Sequence, residues 1–135
     1  MGLGVPNSRI ELWHQRVHGA TPGLMDWPLT DAYCQSFALA MGVTLKRQWR
    51  VGGIEREMLR DNTATAPVVY ESSNGLVHHL PSSPRAPKGT RLKFPQVTAN
   101  LQQRYCTSSV KIDVASRAMN NDSAFKKGRF LFITG

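Results

Sequence analysis

The first sixty residues switch hydrophobic period three times, and this alternation limits the folds open to the chain more than any other feature. Arg9 to Val17 alternates with a period of two, Ile10 and Leu12 on one face and Trp13 on the other, which predicts a strand. Gly19, Pro22, Gly23 and Pro28 then break any regular element. From Thr30 the spacing becomes helical. Thr30 is placed to cap, Tyr33, Phe37, Ala40 and Met41 share a face, and Gly42 suits the C-terminal stop. Val43 to Val51 returns to period two, with Val43, Leu45, Trp49 and Val51 alternating and Arg47 the exception. Gly52-Gly53 hands over to a short helix, Ile54 to Asp61. Strand, helix, strand, helix predicts an α/β fold built on a parallel sheet with crossover helices.

The remainder is less regular. Pro67, Pro81, Pro84 and Pro87 make residues 63–94 a surface excursion, interrupted by a hairpin of Val68 to Glu71 with Leu76 to Leu80 around Ser73-Asn74-Gly75. A helix is expected from Pro95 to about Gln103, with proline at its first position. Ser109 is placed to cap another, whose Val110, Val114, Ala118 and Met119 line one face. Phe130 to Ile133 is uniformly apolar, the mark of a strand buried on both faces. Residues 1–8 read as a flexible leader and 9–135 as a single domain.

No apolar run approaches the roughly 20 residues of a membrane span, and the first eight residues lack the basic start and apolar stretch of a signal peptide. A cytoplasmic setting follows as the expectation. Cys34 and Cys106 alone make no disulfide framework and too few thiolates for an iron–sulfur cluster. The net charge of +8, from 17 Lys and Arg against 9 Asp and Glu, implies an anionic partner. The basic residues are scattered rather than blocked, which weighs against a disordered nucleic-acid arm.

The densest chemistry lies in Arg104-Tyr-Cys106-Thr-Ser-Ser109-Val-Lys111, which offers a guanidinium, a thiol, hydroxyls and an ammonium where a helix is expected to start. Free N–H groups there attract anions, and Arg104 and Lys111 add charge-assisted bonds. The alternative is an ordinary capped helix with solvated basic residues. Cys106 reads as a small packing residue more readily than as a nucleophile, since no His/Asp partner is near in sequence. His14, His18, His78 and His79 lack further ligands at zinc spacing. Trp27, in Asp26-Trp27-Pro28, reads as a recognition loop or as a core anchor. A last strand ending in Thr134-Gly135 points at a site beyond its carboxyl end.

Taken together, the segments resemble the phosphoadenosine phosphosulfate reductase family, within the adenine-nucleotide α-hydrolase-like (ATP-pyrophosphatase) folds, and most of all its phage and bacterial reductase-like and DNA sulfur-modification members. The stretches that carry the resemblance are Ile10-Glu-Leu-Trp-His14, Met25-Asp-Trp-Pro28 with Tyr33 and Phe37, Trp49-Arg-Val-Gly-Gly53 with Glu57-Met-Leu-Arg60, Arg104-Tyr-Cys106 with Lys111-Ile-Asp-Val114, and Phe130-Leu-Phe-Ile-Thr-Gly135. The resemblance implies a site for an adenine nucleotide, ATP or phosphoadenosine phosphosulfate, serving sulfate reduction or sulfur transfer. Arg104, Ser109 and Lys111 would meet phosphate or sulfate, and Thr134 and Gly135 would border the nucleotide. It also implies that the chain corresponds to the middle of a family member: the phosphate loop, the first and central strand, and the terminal catalytic cysteine have no counterpart. The two strand edges left facing each other would pair directly or through a homodimer. Catalysis by this chain alone is then not expected. The alternative function is a basic nucleic-acid-binding or oligomeric accessory protein, contacting DNA through its charge.

Overall fold

A computed structural model describes residues 4–21, 23–100 and 103–134. It is a mixed α/β structure around one four-stranded sheet in the order β1-β2-β3-β4. Strand β1 (Glu11–Arg16) leads through helix α1 (Thr30–Met41) to β2 (Thr44–Arg50), and helix α2 (Gly53–Met58) follows. β1 and β2 are parallel, with Trp13 opposite Lys46 and His14 opposite Arg47. The period switches of the first half therefore correspond to a strand–helix–strand crossover, as expected.

The second half departs from the expectation. β3 (Val68–Glu71) and β4 (Val77–Leu80) form the hairpin, but it completes the sheet instead of lying over the surface. β3 runs antiparallel to both β2 and β4, so the sheet is mixed. Its Val68, Val69 and Tyr70 are buried. No helix forms over residues 95–100 or at Gln103. Phe130 to Ile133 is not a strand: Leu131 is 76% and Ile133 77% exposed, and among the described residues no backbone partner bonds residues 129–134. β1 is thus an edge strand that does not pair with the C-terminal segment. The Thr44 N–H donates to the Ile10 carbonyl at 3.3 Å, so alternate residues Leu12, His14 and Arg16 turn their backbone groups toward β2. Those of Glu11, Trp13 and Gln15 face outward.

One helical column closes the chain: α3 (Tyr105–Thr107), a π-helical turn (Ser108–Ile112) and α4 (Asp113–Asn121). It starts four residues before the expected cap at Ser109. Val110, Val114 and Ala118 line its buried face, as their spacing predicts. This face lies over the sheet side bearing Trp13, Gln15, Lys46, Gln48 and Arg50, where polar side chains of β2 are the more buried set. Burial of that side is tolerated because most of it is satisfied. Gln15 Nε2 donates to Gln48 Oε1 at 2.8 Å, and Arg50 donates to the carbonyls of Ser109 and Ala66 and to Asp113.

The other side of the sheet, with His14, Arg16 and Arg47, meets α1 through Asp31. Of α1 only Ala38 is buried; Tyr33, Phe37 and Met41 are exposed at 70%, 44% and 53%. The apolar stripe of α1 therefore faces outward, because the inward contact is made by small and charged groups. Gly42 does end α1, at φ 64°, its N–H donating to the carbonyls of Ala38 and Leu39.

Candidate functional site

The carboxyl ends of the parallel strands are closed by glycine. Gly53, at φ +57°, sits so near the residues after β1 that a Cβ would lie 2.3 Å from the His18 carbonyl carbon. This approach lets the Ile54 N–H donate to the Val17 carbonyl at 2.8 Å. Val17 and Ile54 then pack with Tyr105 and Val110 in a buried cluster, against which Met58 and Cys106 lean. Sequence leads to site here in one step: Gly53 permits the loop contact, and the contact seats Tyr105.

Tyr105 is fixed from three sides. Its hydroxyl donates to the Lys93 carbonyl, and the Arg91 guanidinium lies 4.2 Å from its ring centroid. Arg91 also donates to Glu57 at 2.7 Å and to the Ser109 hydroxyl at 3.2 Å. Glu57 is buried, and Arg91 and Arg60 neutralise it. Burial pushes the Tyr105 hydroxyl above its ordinary range, with the Arg91 charge opposing.

Arg104 and Cys106 flank Tyr105 and both line a depression of about 620 Å³, whose other walls are Met25 and residues 94–99. The Arg104 Nε is buried without a hydrogen-bond partner, and no carboxylate pairs with this guanidinium among the described residues. Next to the depression in sequence, His18 Nε2 is 3.4 Å from Asp26 Oδ2, both side chains nearly enclosed. A second hollow of about 220 Å³ lies between Leu12, Tyr33, Cys34 and Phe37.

The remaining residues singled out by sequence lie apart from this depression. Ser109 is inside the helical column and engaged by Arg50 and Arg91, so it caps nothing. Lys111 is exposed on the π-helical turn. The anion site expected at a helix start near Ser109 is replaced by the interior of a continuous column, whose amides are bonded along it. Thr134 is exposed, and Gly135 lies outside the described residues. Trp27 is 82% exposed and anchors no core. His14 is enclosed against Asp31, with its Nε2 3.9 Å from Oδ1. Among the described residues, no three His, Cys, Asp or Glu side chains come together as metal ligands. No helix there is long and apolar enough to cross a membrane.

Sequence reasoning took residues 95–99 for the start of a helix and so missed the wall that 94–99 make, and it missed the part played by Met25. Proline at 95 suits an irregular segment as well as a helix start, and Met25 adopts a left-handed backbone (φ 65°) that its residue type does not announce. Compared with known proteins, the chain matches no family model, no curated protein and no solved structure.

Proposed function

We propose that the chain is a binding domain for a small anion-bearing ligand, held in the depression beside Arg104 and Cys106. Following the sequence resemblance, we take this ligand to be an adenine nucleotide or sulfonucleotide of the kind used in sulfate reduction or sulfur transfer. The observation that carries the reading is the Arg104 guanidinium, which pairs with no carboxylate among the described residues, on a concave surface at the carboxyl end of the parallel strand pair. A guanidinium without a counter-ion offers a phosphate or sulfate oxygen a charge-assisted bond worth roughly 1.5–3 kcal/mol. Strand carboxyl ends are also where open α/β sheets place their ligands. Apolar Met25, Phe94, Pro95 and Val97 offer a base or ring a dry wall.

Calorimetric titration with ATP and with phosphoadenosine phosphosulfate tests this, using the wild-type chain, Arg104→Ala and Lys111→Ala. The expected result is saturable binding weakened about tenfold or more by Arg104→Ala, as loss of a charge-assisted bond implies, with Lys111→Ala near wild type. Absence of saturable heat with either ligand overturns the reading. Binding indifferent to Arg104→Ala would remove the depression as its location.

A further inference from the structure

The opposite end of the sheet carries a second feature, unrelated to the depression. Asp122, at the end of α4, accepts from the Ser73 backbone N–H at 2.8 Å and the Ser73 hydroxyl at 3.1 Å, fixing the column to the β3–β4 turn. The chain then passes through a 3₁₀ turn (Ser123–Phe125) into Lys126-Lys127-Gly128-Arg129-Phe130-Leu131-Phe132. Basic and aromatic residues thus interleave on one exposed stretch.

The rings assemble around Trp13 on β1. Phe125 and Phe132 meet the Trp13 ring edge-on at centroid distances of 5.4 and 6.0 Å, and Phe130 meets Phe125 at 5.1 Å. Phe130 and Phe132 are nonetheless 51% and 46% exposed, so this is a platform rather than a core. Around it stand cations without counter-charge. Lys126, Lys127 and Arg129 are exposed and pair with no carboxylate among the described residues. Lys46, directly across β2 from Trp13, also lacks one and is only 7% exposed. The nearby acids are occupied: Glu11 accepts from Trp13 Nε1 at 2.8 Å, and Asp122 holds Ser73 and the Ala124 N–H.

Half-exposed rings among unneutralised cations match a ligand that presents flat π-faces and negative charge at regular intervals. We propose that the ring platform of Trp13, Phe130 and Phe132, with Lys126, Lys127 and Arg129, docks single-stranded nucleic acid. Bases stack on the half-exposed phenyl rings, and the three exposed cations follow the phosphates. A duplex keeps its base faces covered and offers the rings nothing.

The test is fluorescence anisotropy of a labelled oligothymidylate of about 15 nucleotides, a length suited to a single such platform, against a duplex of equal length. Phe130→Ala/Phe132→Ala should weaken single-strand binding at least about tenfold while leaving the circular dichroism spectrum unchanged. Lys126→Ala/Lys127→Ala/Arg129→Ala should lower the slope of log affinity against log salt by about 2. Arg104→Ala should leave the oligonucleotide affinity as it is, which separates this surface from the nucleotide reading. No binding of the oligonucleotide overturns the proposal. So does equal duplex binding that ignores the phenylalanine substitutions, loss of binding in Arg104→Ala, or capture by phosphatidylserine vesicles in place of the oligonucleotide.

Discussion

Asp31 is the residue on which one side of the sheet turns. Arg47 donates to its two oxygens at 2.9 and 3.1 Å and Arg16 to Oδ1 at 2.9 Å, linking α1 to both parallel strands. The hydrogen bond from Arg47, reinforced by Arg16, lowers the carboxyl from 3.8 to about 2, against the opposing effect of burial. A depressed carboxylate stabilises the fold above its unfolded value and loses that contribution as pH falls from 3.8 toward 2. Beside it His14 is lowered from 6.5, chiefly by burial, so protonation opposes folding. Its contribution is present above pH 6.5 and lost below it. Thermal melts should therefore fall in two acid steps, the upper one removed in His14→Gln and the lower one in Asp31→Asn. At neutral pH, Asp31→Asn should cost about 1 kcal/mol, the scale of a partly exposed paired carboxylate. Two acid steps persisting in both variants would refute this assignment.

At the scale of elements, the junctions matter more than the elements. Gly53→Ala should destabilise by about 2–4 kcal/mol in urea melts, since both a positive φ and a backbone collision oppose a Cβ there. Gly75→Ala, at φ +85° with nothing within 4 Å, should cost about 1 kcal/mol. Similar losses at the two sites would mean that the loops separate freely. Arg50 ties β2 to the column, and Arg50→Ala should cost about 2–4 kcal/mol, mainly by leaving the Ala66 and Ser109 carbonyls without their donor, since half-exposed Asp113 regains water. These residues explain what the sequence could and could not disclose. Period and punctuation located β1, α1, β2 and the buried stripe of α4, because each is fixed by neighbours close in sequence. Arg50 counted only as one of the scattered basic residues, since its partners lie 16, 59 and 63 residues away. Phe130 to Ile133 read as a buried strand because composition reports what a segment suits, while pairing depends on an edge elsewhere.

For the whole molecule, charge and edges decide behaviour in solution. Arg16, Arg47, Arg50, Arg60 and Arg91 share the three carboxylates Asp31, Glu57 and Asp113, so most of the excess of +8 resides on other side chains. The scatter seen in sequence hid this division, since which cations are paired is settled only by the fold. The outward edge of β1 gives a direct assay of association. In hydrogen exchange by NMR, amides of Leu12, His14 and Arg16 should be protected by β2, while those of Glu11, Trp13 and Gln15 exchange rapidly. Uniform protection along β1 would instead reveal a strand from a second copy. The helical column joins the two ends of the molecule, from Arg104 at the depression to Asp122 at the β3–β4 turn, a span of roughly 25 Å at helical rise. Its π-helical turn holds one residue more than an α-turn would, and each residue advances a helix by about 100°. Removing one residue from Ser108–Ile112 would let the turn relax to α geometry with Arg104 and Asp122 near their present phase, whereas the same deletion in a plain α-helix would swing Arg104 by about 100°. The wide turn is therefore a phase buffer, absorbing one residue without turning one end of the column against the other.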